Sequence, residues 1–212
     1  RGIITTAGIL MFLGATTLYF FGFNDITNTG QRLWAAIFHS ISAYNNAGFA
    51  LWSNSFQSYR DNGVVNFVLI ILIILGGLGW RVTNDIWINR RSLRLRNLSL
   101  HTRLVIRTSF ILIALGAFGL LLTESLIRGN FFSTITFQDR ILTALFASIS
   151  ARTAGFTNIP ISIQTVSDSG LLLLMFLMFI GASPGGTGGG IKTTTIAALM
   201  AATRTTLRGQ NE

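Results

Sequence analysis

Two short polar strings in an otherwise apolar chain carry the residue types that coordinate a dehydrated cation. The first lies in SISAYNNAGF at 40–49 and the second in SISARTAGF at 148–156. Both offer backbone carbonyls with amide or hydroxyl side chains, and neither contains a carboxylate. Carbonyl oxygens replace the hydration shell of potassium in known filters, whereas cation channels of other kinds use rings of Asp or Glu. The strings therefore predict a filter for a monovalent cation. The candidate filter residues are Asn45, Asn46, Ala47, Gly48, Thr153, Ala154 and Gly155.

The glycine of each string has a specific role in this prediction. Gly48 and Gly155 lack a Cβ, so they admit positive φ and let successive carbonyls point the same way. A single AGF is typical of a turn beside a helix end, but two in matched positions favour a duplicated filter. Non-helical backbone at membrane depth is tolerated only where it is buried in protein or lines water.

A third polar interruption, GASPGGTGGGIKTTT at 181–195, raises two hypotheses. A phosphate-binding loop needs glycine directly before lysine and a preceding strand; here Ile191 intervenes before Lys192 and an apolar run precedes, so this motif is weak. Five glycines and one proline disfavour continuous helix by roughly 8 kcal/mol in sum. We therefore expect a loop at membrane depth that can block the path below the filter. The candidate gate residues are Pro184, Gly185, Gly186, Thr187, Gly188, Gly189, Gly190 and Lys192. The ammonium of Lys192 is expected either near the cytoplasmic mouth or at the membrane interface.

Apolar runs that must position these strings surround them. A helix needs roughly 20 apolar residues to cross about 30 Å of hydrocarbon. The candidate spans are 2–23, 64–80, 104–123 and a fourth that begins at 170–182, breaks at 183–190 and resumes at 191–202.

Two shorter amphipathic stretches, 31–43 and 139–151, lie just before the strings. At about 13 residues each they extend only about 20 Å as helices, so they enter the membrane without crossing it. Their C-termini direct roughly half a negative charge toward the strings. The order of span, short helix, string and span occurs twice, with one extra residue in the first copy between Ala43 and Ala47.

Composition and charge agree with a membrane protein. The 212 residues are 50% hydrophobic and 11% charged, whereas soluble domains carry about 25% charged residues. The net charge of +9 includes six arginines between positions 81 and 103, which indicate a cytoplasmic loop rather than a nucleic-acid surface. We divide the chain into a first repeat at 1–82, a basic cytoplasmic linker at 83–102 and a second repeat at 103–212. Cysteine is absent, so no disulfide is possible.

The combination of SISAYNNAGF, SISARTAGF and GASPGGTGGGIKTTT resembles the Trk/Ktr/HKT superfamily of potassium transporters, and is most similar to the membrane subunit of bacterial Ktr systems. The resemblance covers essentially the whole chain. It implies an all-α integral membrane fold of four span–pore helix–span repeats around a pseudo-fourfold pore. This chain matches the second and third repeats. Either the first and fourth repeats belong to the same longer chain, or two copies of this chain close the ring; we favour a fragment, because the chain opens on Arg1 rather than Met.

The resemblance also implies a function and partners. It implies inward K⁺ transport across the inner (plasma) membrane, often stimulated by Na⁺, with the glycine-rich loop as the gate. It further implies a homodimer that rests on a cytosolic nucleotide-binding ring. No cofactor is expected in this chain; K⁺ is the transported ion, with Na⁺ as a second candidate.

Two other classes of membrane protein compete with a transporter. A structural or assembly membrane protein would use such loops only to bind a partner, and an ATP-driven pump would need a soluble catalytic domain. No nucleophile–base arrangement indicates an enzyme. We expect Arg152 to pair or hydrogen-bond, because a bare charge at membrane depth is costly. A structural salt bridge behind the filter is favoured over direct contact with the ion, because a cation repels potassium. His39 is predicted to pack or hydrogen bond. Three acids are expected near the outer ends, where they concentrate cations: Glu124, Asp139 and Asp168.

Overall fold

The structure, a computed structural model, describes residues 2–90, 97–126, 131–162 and 165–207. Within these ranges the regular elements are helical. They are α1 (Gly2–Thr17), α2 (Thr29–Tyr44), α3 (Gly63–Leu78), α4 (Trp80–Ile88), α5 (Leu100–Leu126), α6 (Phe131–Thr134), α7 (Phe137–Ala151), α8 (Asp168–Phe179) and α9 (Thr193–Leu207). A π-helical turn, Leu18–Gly22, extends α1, and a 3₁₀ turn, Gln57–Tyr59, precedes α3.

The long apolar helices agree with two of the predicted spans. Gly2–Gly22 and Leu100–Ser125 are each long and apolar enough to cross a membrane. These segments confirm the predictions over 2–23 and 104–123. The bent pair α3 and α4 makes a third crossing if both helices are counted as one span.

The prediction of one continuous span over 64–80 is wrong at its end. The helix stops at Leu78, and α4 leaves at 98° to α3. Gly79, at the bend, has φ of +80°, a left-handed conformation that glycine adopts without steric cost. The sequence GGLG at 76–79 carried the signal for this break.

The two short helices form where the sequence predicts them. The side chain of Asn28 accepts a hydrogen bond from the backbone N–H of Gln31 (3.0 Å) and caps α2. Thr136 caps α7 in the same way, through the N–H of Asp139 (3.3 Å). These side chains satisfy helix N–H groups that otherwise lack partners. The helices α2 and α7 confirm the predictions over 31–43 and 139–151, with two further residues at each N-terminus.

Matched contacts show that the two repeats share one packing scheme. Helix α2 packs against α1 and α3, and α7 packs against α5 and α8. The hydroxyl of Ser40 donates to the carbonyl of Met11 in α1 (2.6 Å). Its counterpart Ser148 donates to the carbonyl of Ile113 in α5 (3.0 Å). Each short helix is therefore bonded to the first span of its own repeat at the same position.

A buried aromatic cluster holds the chain that follows the first string. His39 stacks on Trp52 with ring centroids 4.4 Å apart. Its Nδ1 lies 2.7 Å from the carbonyl oxygen of Ala35, and its Nε2 accepts from the N–H of Leu51 (3.1 Å). Since Nε2 accepts, Nδ1 carries the proton. The prediction that His39 packs and hydrogen bonds is confirmed.

The outer end of this cluster is fixed by Tyr59, which lies in the loop before α3. Its hydroxyl donates to Asp25 Oδ2 (2.7 Å). Burial, the hydrogen bond and the neighbouring carboxylate all raise the pKa of Tyr59, so the phenol stays protonated and remains a donor.

Candidate ion filter and gate

The two strings have the same backbone conformation. Gly48 and Gly155 have φ of +73° and +83°, which confirms the positive φ that the sequence predicts for both glycines. Two residues earlier, Asn46 and Thr153 also have positive φ, at +51° and +70°. Positive φ is uncommon outside glycine and is an outlier for a β-branched residue such as Thr153. Sequence reasoning missed this second pair, and asparagine at position 46 was the available signal.

The structure brings the two strings into direct contact. A Cβ added to Gly48 would lie 2.7 Å from the carbonyl oxygen of Ala154 and 3.0 Å from Gly155 Cα. A Cβ added to Gly155 would lie 3.1 Å from Gly48 Cα. Only glycine at both positions permits this backbone approach. The strings, more than a hundred residues apart in sequence, therefore lie directly against each other at these two glycines.

Each string is tied back to its own short helix by a serine. The hydroxyl of Ser42 donates to the carbonyl of Phe49 (2.8 Å), and that of Ser150 donates to the carbonyl of Phe156 (2.6 Å). The serines of the repeated SISA sequence thus fix the far end of each string. Sequence reasoning aligned these serines without assigning them this role.

The extra residue in the first copy is accommodated at the end of the short helix. The N–H of Ala47 donates to Ser42 five residues earlier (2.9 Å), whereas that of Ala154 donates to Ser150 four residues earlier (2.9 Å). Helix α2 runs one residue further, to Tyr44, than α7, which ends at Ala151. The extra residue predicted between Ala43 and Ala47 is therefore Tyr44, which widens the final turn.

The chain segments beyond the strings join the two repeats. The N–H of Phe56 donates to the carbonyl of Thr157 (2.8 Å), and the N–H of Thr157 is bonded to Ser55 Oγ (3.2 Å). At the next residue, the buried amide of Asn158 donates to Asn66 Oδ1 in α3 (3.2 Å). Sequence reasoning missed both asparagines, although an amide within the apolar run of α3 was a signal that a partner is needed.

The glycine-rich break is a closed loop rather than a gap in a straight span. Helix α8 ends at Phe179 and α9 begins at Thr193. The N–H of Gly181 donates to Ile191 (3.1 Å), and the N–H of Ile191 donates to Phe179 (3.1 Å). The predicted interruption at 183–190 is confirmed as non-helical. The break is wider than predicted, because the expected segments 170–182 and 191–202 both overlap it.

This loop rests on the bend between α3 and α4. The N–H of Ser183 donates to the carbonyl of Gly77 (3.0 Å), and the N–H of Thr187 donates to that of Gly76 (3.1 Å). Since α3 ends here, carbonyls near its C-terminus lack helical partners and are available to the loop. The backbone of the GGLG sequence therefore binds the candidate gate loop, a role that was not predicted from the sequence.

The loop also contacts both strings. Thr187 Oγ1 donates to the carbonyl of Tyr44 (2.9 Å) and accepts from Asn46 Nδ2 (2.8 Å). On the second string, a Cβ added to Gly188 would lie 2.6 Å from Thr153 Oγ1. The predicted filter residues Asn46 and Thr153 thus meet the predicted gate residues.

Arg152 bonds to backbone and hydroxyl oxygens instead of forming the predicted salt bridge. Its Nη2 donates to the carbonyl of Gly181 (3.1 Å) and lies 3.4 Å from Ser109 Oγ. No carboxylate lies within ion-pair distance of Arg152 in the described part of the chain. The expectation that Arg152 pairs or hydrogen-bonds is therefore confirmed by its hydrogen bond, whereas the favoured salt bridge does not form, because the carbonyl of Gly181 supplies the acceptor.

Two further charged groups bond to neighbouring backbone or side chains. Lys192 Nζ donates to the carbonyl of Gly188 within its own loop (2.8 Å), and its position at the cytoplasmic mouth or at the membrane interface stays a prediction. Glu124 is buried, and accepts from the N–H and hydroxyl of Ser167 at the start of α8 (3.1 and 2.6 Å). A buried carboxylate that caps a helix does not attract ions from solution. Asp168 is exposed and Asp139 is half-buried, and their role in concentrating cations stays a prediction.

Comparison with known proteins places these features in one family. The sequence profile of the TrkH family, described as cation transport protein, matches residues 3–212. The Ktr system potassium uptake protein B of Vibrio alginolyticus is 41% identical over 173 residues, which cover 82% of this chain and 37% of that protein. The Ktr system potassium uptake protein B of Bacillus subtilis is 34% identical over 180 residues, covering 85% and 39%. The potassium/sodium uptake protein NtpJ of Enterococcus hirae is 36% identical over 174 residues, covering 80% and 36%.

A solved structure shares the fold. The potassium transporter TrkH from Vibrio parahaemolyticus matches with a TM-score of 0.65 and 21% identity, over 97% of this chain and 48% of that chain. This chain spans less than half the length of each of these relatives. The names of the relatives describe transport proteins rather than enzymes. With helices that can cross a membrane, paired strings and a family profile that matches nearly every residue, the chain belongs to the TrkH family of cation transport proteins.

Proposed function

We propose that this chain forms two repeats of a potassium uptake pore, and that the strings at 45–49 and 152–156 belong to its selectivity filter. The observation that carries the proposal is the backbone contact between Gly48 and Gly155, which aligns two carbonyl-rich strings of matching conformation. Neutral carbonyls without a carboxylate favour a monovalent cation. The names of the Ktr relatives, which are potassium uptake proteins, support the choice of K⁺.

The loop at 183–190, together with Lys192, is the gate in this proposal. It is held by a small number of hydrogen bonds to the first repeat and to the end of α3, and Gly188 packs against Thr153 of the second string. Such a loop occupies the path below the filter in one position and clears it in another. Glycines give it the backbone freedom to move between the two positions.

The complete pore requires further parts. Two strings make half of a fourfold ring, and the relatives are more than twice as long as the matched segment. The first and fourth repeats therefore come from the same, longer chain. Resemblance to Ktr systems supports a homodimer on a cytosolic nucleotide-binding ring. The printed name of NtpJ, a potassium/sodium uptake protein, supports a role for Na⁺.

The orientation follows from charge. We place the protein in the inner (plasma) membrane with the linker 83–102 in the cytoplasm, because cytoplasmic loops carry an excess of Arg and Lys. Part of that cluster, at 91–96, lies outside the described residues.

Ion flux through the full-length protein tests the function. Cells that lack their own potassium uptake are supplied with the parent protein or with Gly155→Ser, and K⁺ and Na⁺ uptake are measured. Gly8→Ser is the matched control, because a Cβ at Gly8 meets nothing within 4 Å. We expect K⁺ uptake by the parent and control, and a lower K⁺-over-Na⁺ ratio in Gly155→Ser. A parent that reaches the membrane and carries no K⁺ would favour the alternative, an assembly protein that binds a partner.

A further inference from the structure

The hydroxyl of Thr187 joins the gate loop to the first string. Thr187 Oγ1 accepts from Asn46 Nδ2 (2.8 Å) and lies 2.9 Å from the carbonyl oxygen of Tyr44. The carbonyl only accepts, so the hydroxyl proton points to Tyr44 while its lone pair receives the Asn46 amide. Both bonds form at the same time. The threonine side chain is therefore the middle of a three-member chain of hydrogen bonds.

The backbone around this chain is shaped to allow it. The N–H of Thr187 donates to the carbonyl of Gly76 (3.1 Å). A Cβ on Gly76 would lie 1.8 Å from the carbonyl oxygen of Tyr44 and 2.9 Å from Thr187 Oγ1. The end of α2, the end of α3 and the loop thus meet at the hydroxyl of Thr187. A side chain at position 76 would prevent this close approach.

Asn46 combines a left-handed backbone conformation with a side-chain bond to the loop. Its φ of +51° is in the left-handed region, which asparagine tolerates and most residues avoid. Such conformations persist when neighbouring contacts over-determine them. The strongest side-chain contact of Asn46 is the one to Thr187, while a second contact, to the carbonyl of Ile73, is longer at 3.4 Å. When the loop leaves, Asn46 therefore loses its principal partner.

We propose that Thr187 is a positioning residue whose hydroxyl couples the closed position of the gate loop to the conformation of the first filter string through Asn46. The inference rests on the proposed filter and gate. Coupling of this kind is reciprocal. Opening the loop releases Asn46, and an ion in the filter that shifts Asn46 weakens the hold on the loop.

Transport kinetics of the full-length protein, with its regulatory partner present, test the coupling. Thr187→Val keeps the shape and removes the hydroxyl, and Thr187→Ser retains the hydroxyl. Thr195→Val, at an exposed site in α9, is the matched control. In Thr187→Val we expect roughly a tenfold rise in K⁺ flux in the inactive state of the regulator, together with a changed KM for K⁺ and a lower K⁺-over-Na⁺ ratio. Thr187→Ser should restore all three quantities, and Thr195→Val should leave them unchanged.

A double-mutant cycle separates coupling from simple docking. Asn46→Gly removes the amide and still permits positive φ. If the two residues act as one unit, adding Asn46→Gly to Thr187→Val should change KM and selectivity little further. Additive effects, or a rise in flux with unchanged KM and selectivity, would mean that Thr187 only docks the loop and would overturn the proposal.

A measurement on purified protein decides the same point without transport. Amide hydrogen exchange in Thr187→Val should increase both in the loop 183–190 and in the string 45–49, relative to Thr195→Val. Faster exchange confined to the loop would overturn the coupling, even in a protein that carries K⁺ normally. A parent protein without K⁺ flux would contradict the proposed function, while the exchange data would still decide whether loop and string are coupled.

Discussion

The guanidinium of Arg152 lies 3.1 Å from the carbonyl oxygen of Gly181, so the residue that opens the second string also holds the first turn of the gate loop. This relationship puts a positive charge beside the proposed filter string without a carboxylate partner in the described residues. Arg152 Nη2 donates to the carbonyl of Gly181 and lies 3.4 Å from the hydroxyl oxygen of Ser109 in α5.

Arg152 should therefore stabilise the closed loop. Hydrogen bonds to charged groups contribute roughly 1.5–3 kcal/mol, so Arg152→Ala should raise K⁺ flux in the inactive state of the regulator about tenfold or more. Arg152→Gln, which keeps an N–H donor, should have a smaller effect. Uptake assays on the full-length protein measure this, with Arg103→Ala, at an exposed site in α5, as the control. Lower flux in a well-folded Arg152→Ala would contradict the assignment.

Gly76 and Gly77 provide a matched pair of substitution sites at the end of α3, to which the loop is hydrogen-bonded. A Cβ at Gly76 would lie 1.8 Å from the carbonyl oxygen of Tyr44, a backbone atom that cannot simply turn away, whereas a Cβ at Gly77 would meet nothing nearer than 3.9 Å. We expect Gly76→Ala to lower the free energy of unfolding by about 1–3 kcal/mol and to displace the loop. Gly77→Ala should behave like the parent. Thermal unfolding in detergent compares the two, and equal melting temperatures would contradict the close approach.

Deletion of most of 183–190 distinguishes a gate from a hinge. The loop holds its position through few hydrogen bonds, so its removal should raise K⁺ flux and weaken the dependence on the regulator. Flux measurements with the regulator active and inactive provide the test. A shortened protein that reaches the membrane and conducts no better than the parent would favour a hinge that only redirects α9.

Topology is testable at the basic linker. The chain has no cysteine, so Asn97→Cys introduces a single labelling site in the full-length protein once any other cysteines are replaced. We expect membrane-impermeant reagents to label it only after the cytoplasmic face is exposed, since the surrounding arginines favour that side. Labelling of intact cells would reverse the orientation of the pore.

Features that depend on local sequence were largely predictable. The short helices, the positive φ of Gly48 and Gly155 and the break at 183–190 follow from helix length, from glycine and from proline. Each signal lies within a few residues of the structure that it specifies. The repetition of SISA and AGF strengthened these predictions, because chance alone seldom aligns a serine pair, a glycine and an aromatic residue twice.

Features that depend on tertiary contacts were not predictable from the sequence. Thr187 and Asn46 are separated by 141 positions, and nothing in either segment identifies the other as a partner. A salt bridge was favoured for Arg152, yet a backbone carbonyl beyond the end of α8, at Gly181, serves as acceptor. The bend at Gly79 has a local signal in the glycines of GGLG. The apolar run that precedes it nevertheless favoured the prediction of one continuous span.

Tyr44 breaks the equivalence of the two repeats. At the end of α7 the carbonyl of Ala151 accepts from the N–H of Thr153 (2.8 Å), and so closes on its own string. The wider turn after α2 instead leaves the carbonyl of Tyr44 to the hydroxyl of Thr187. A duplicated ancestor with two identical halves would offer the loop two equal resting places. The one inserted residue selects between them: the hydroxyl of Thr187 bonds to the first repeat, so the duplication yields an arrangement with a defined side.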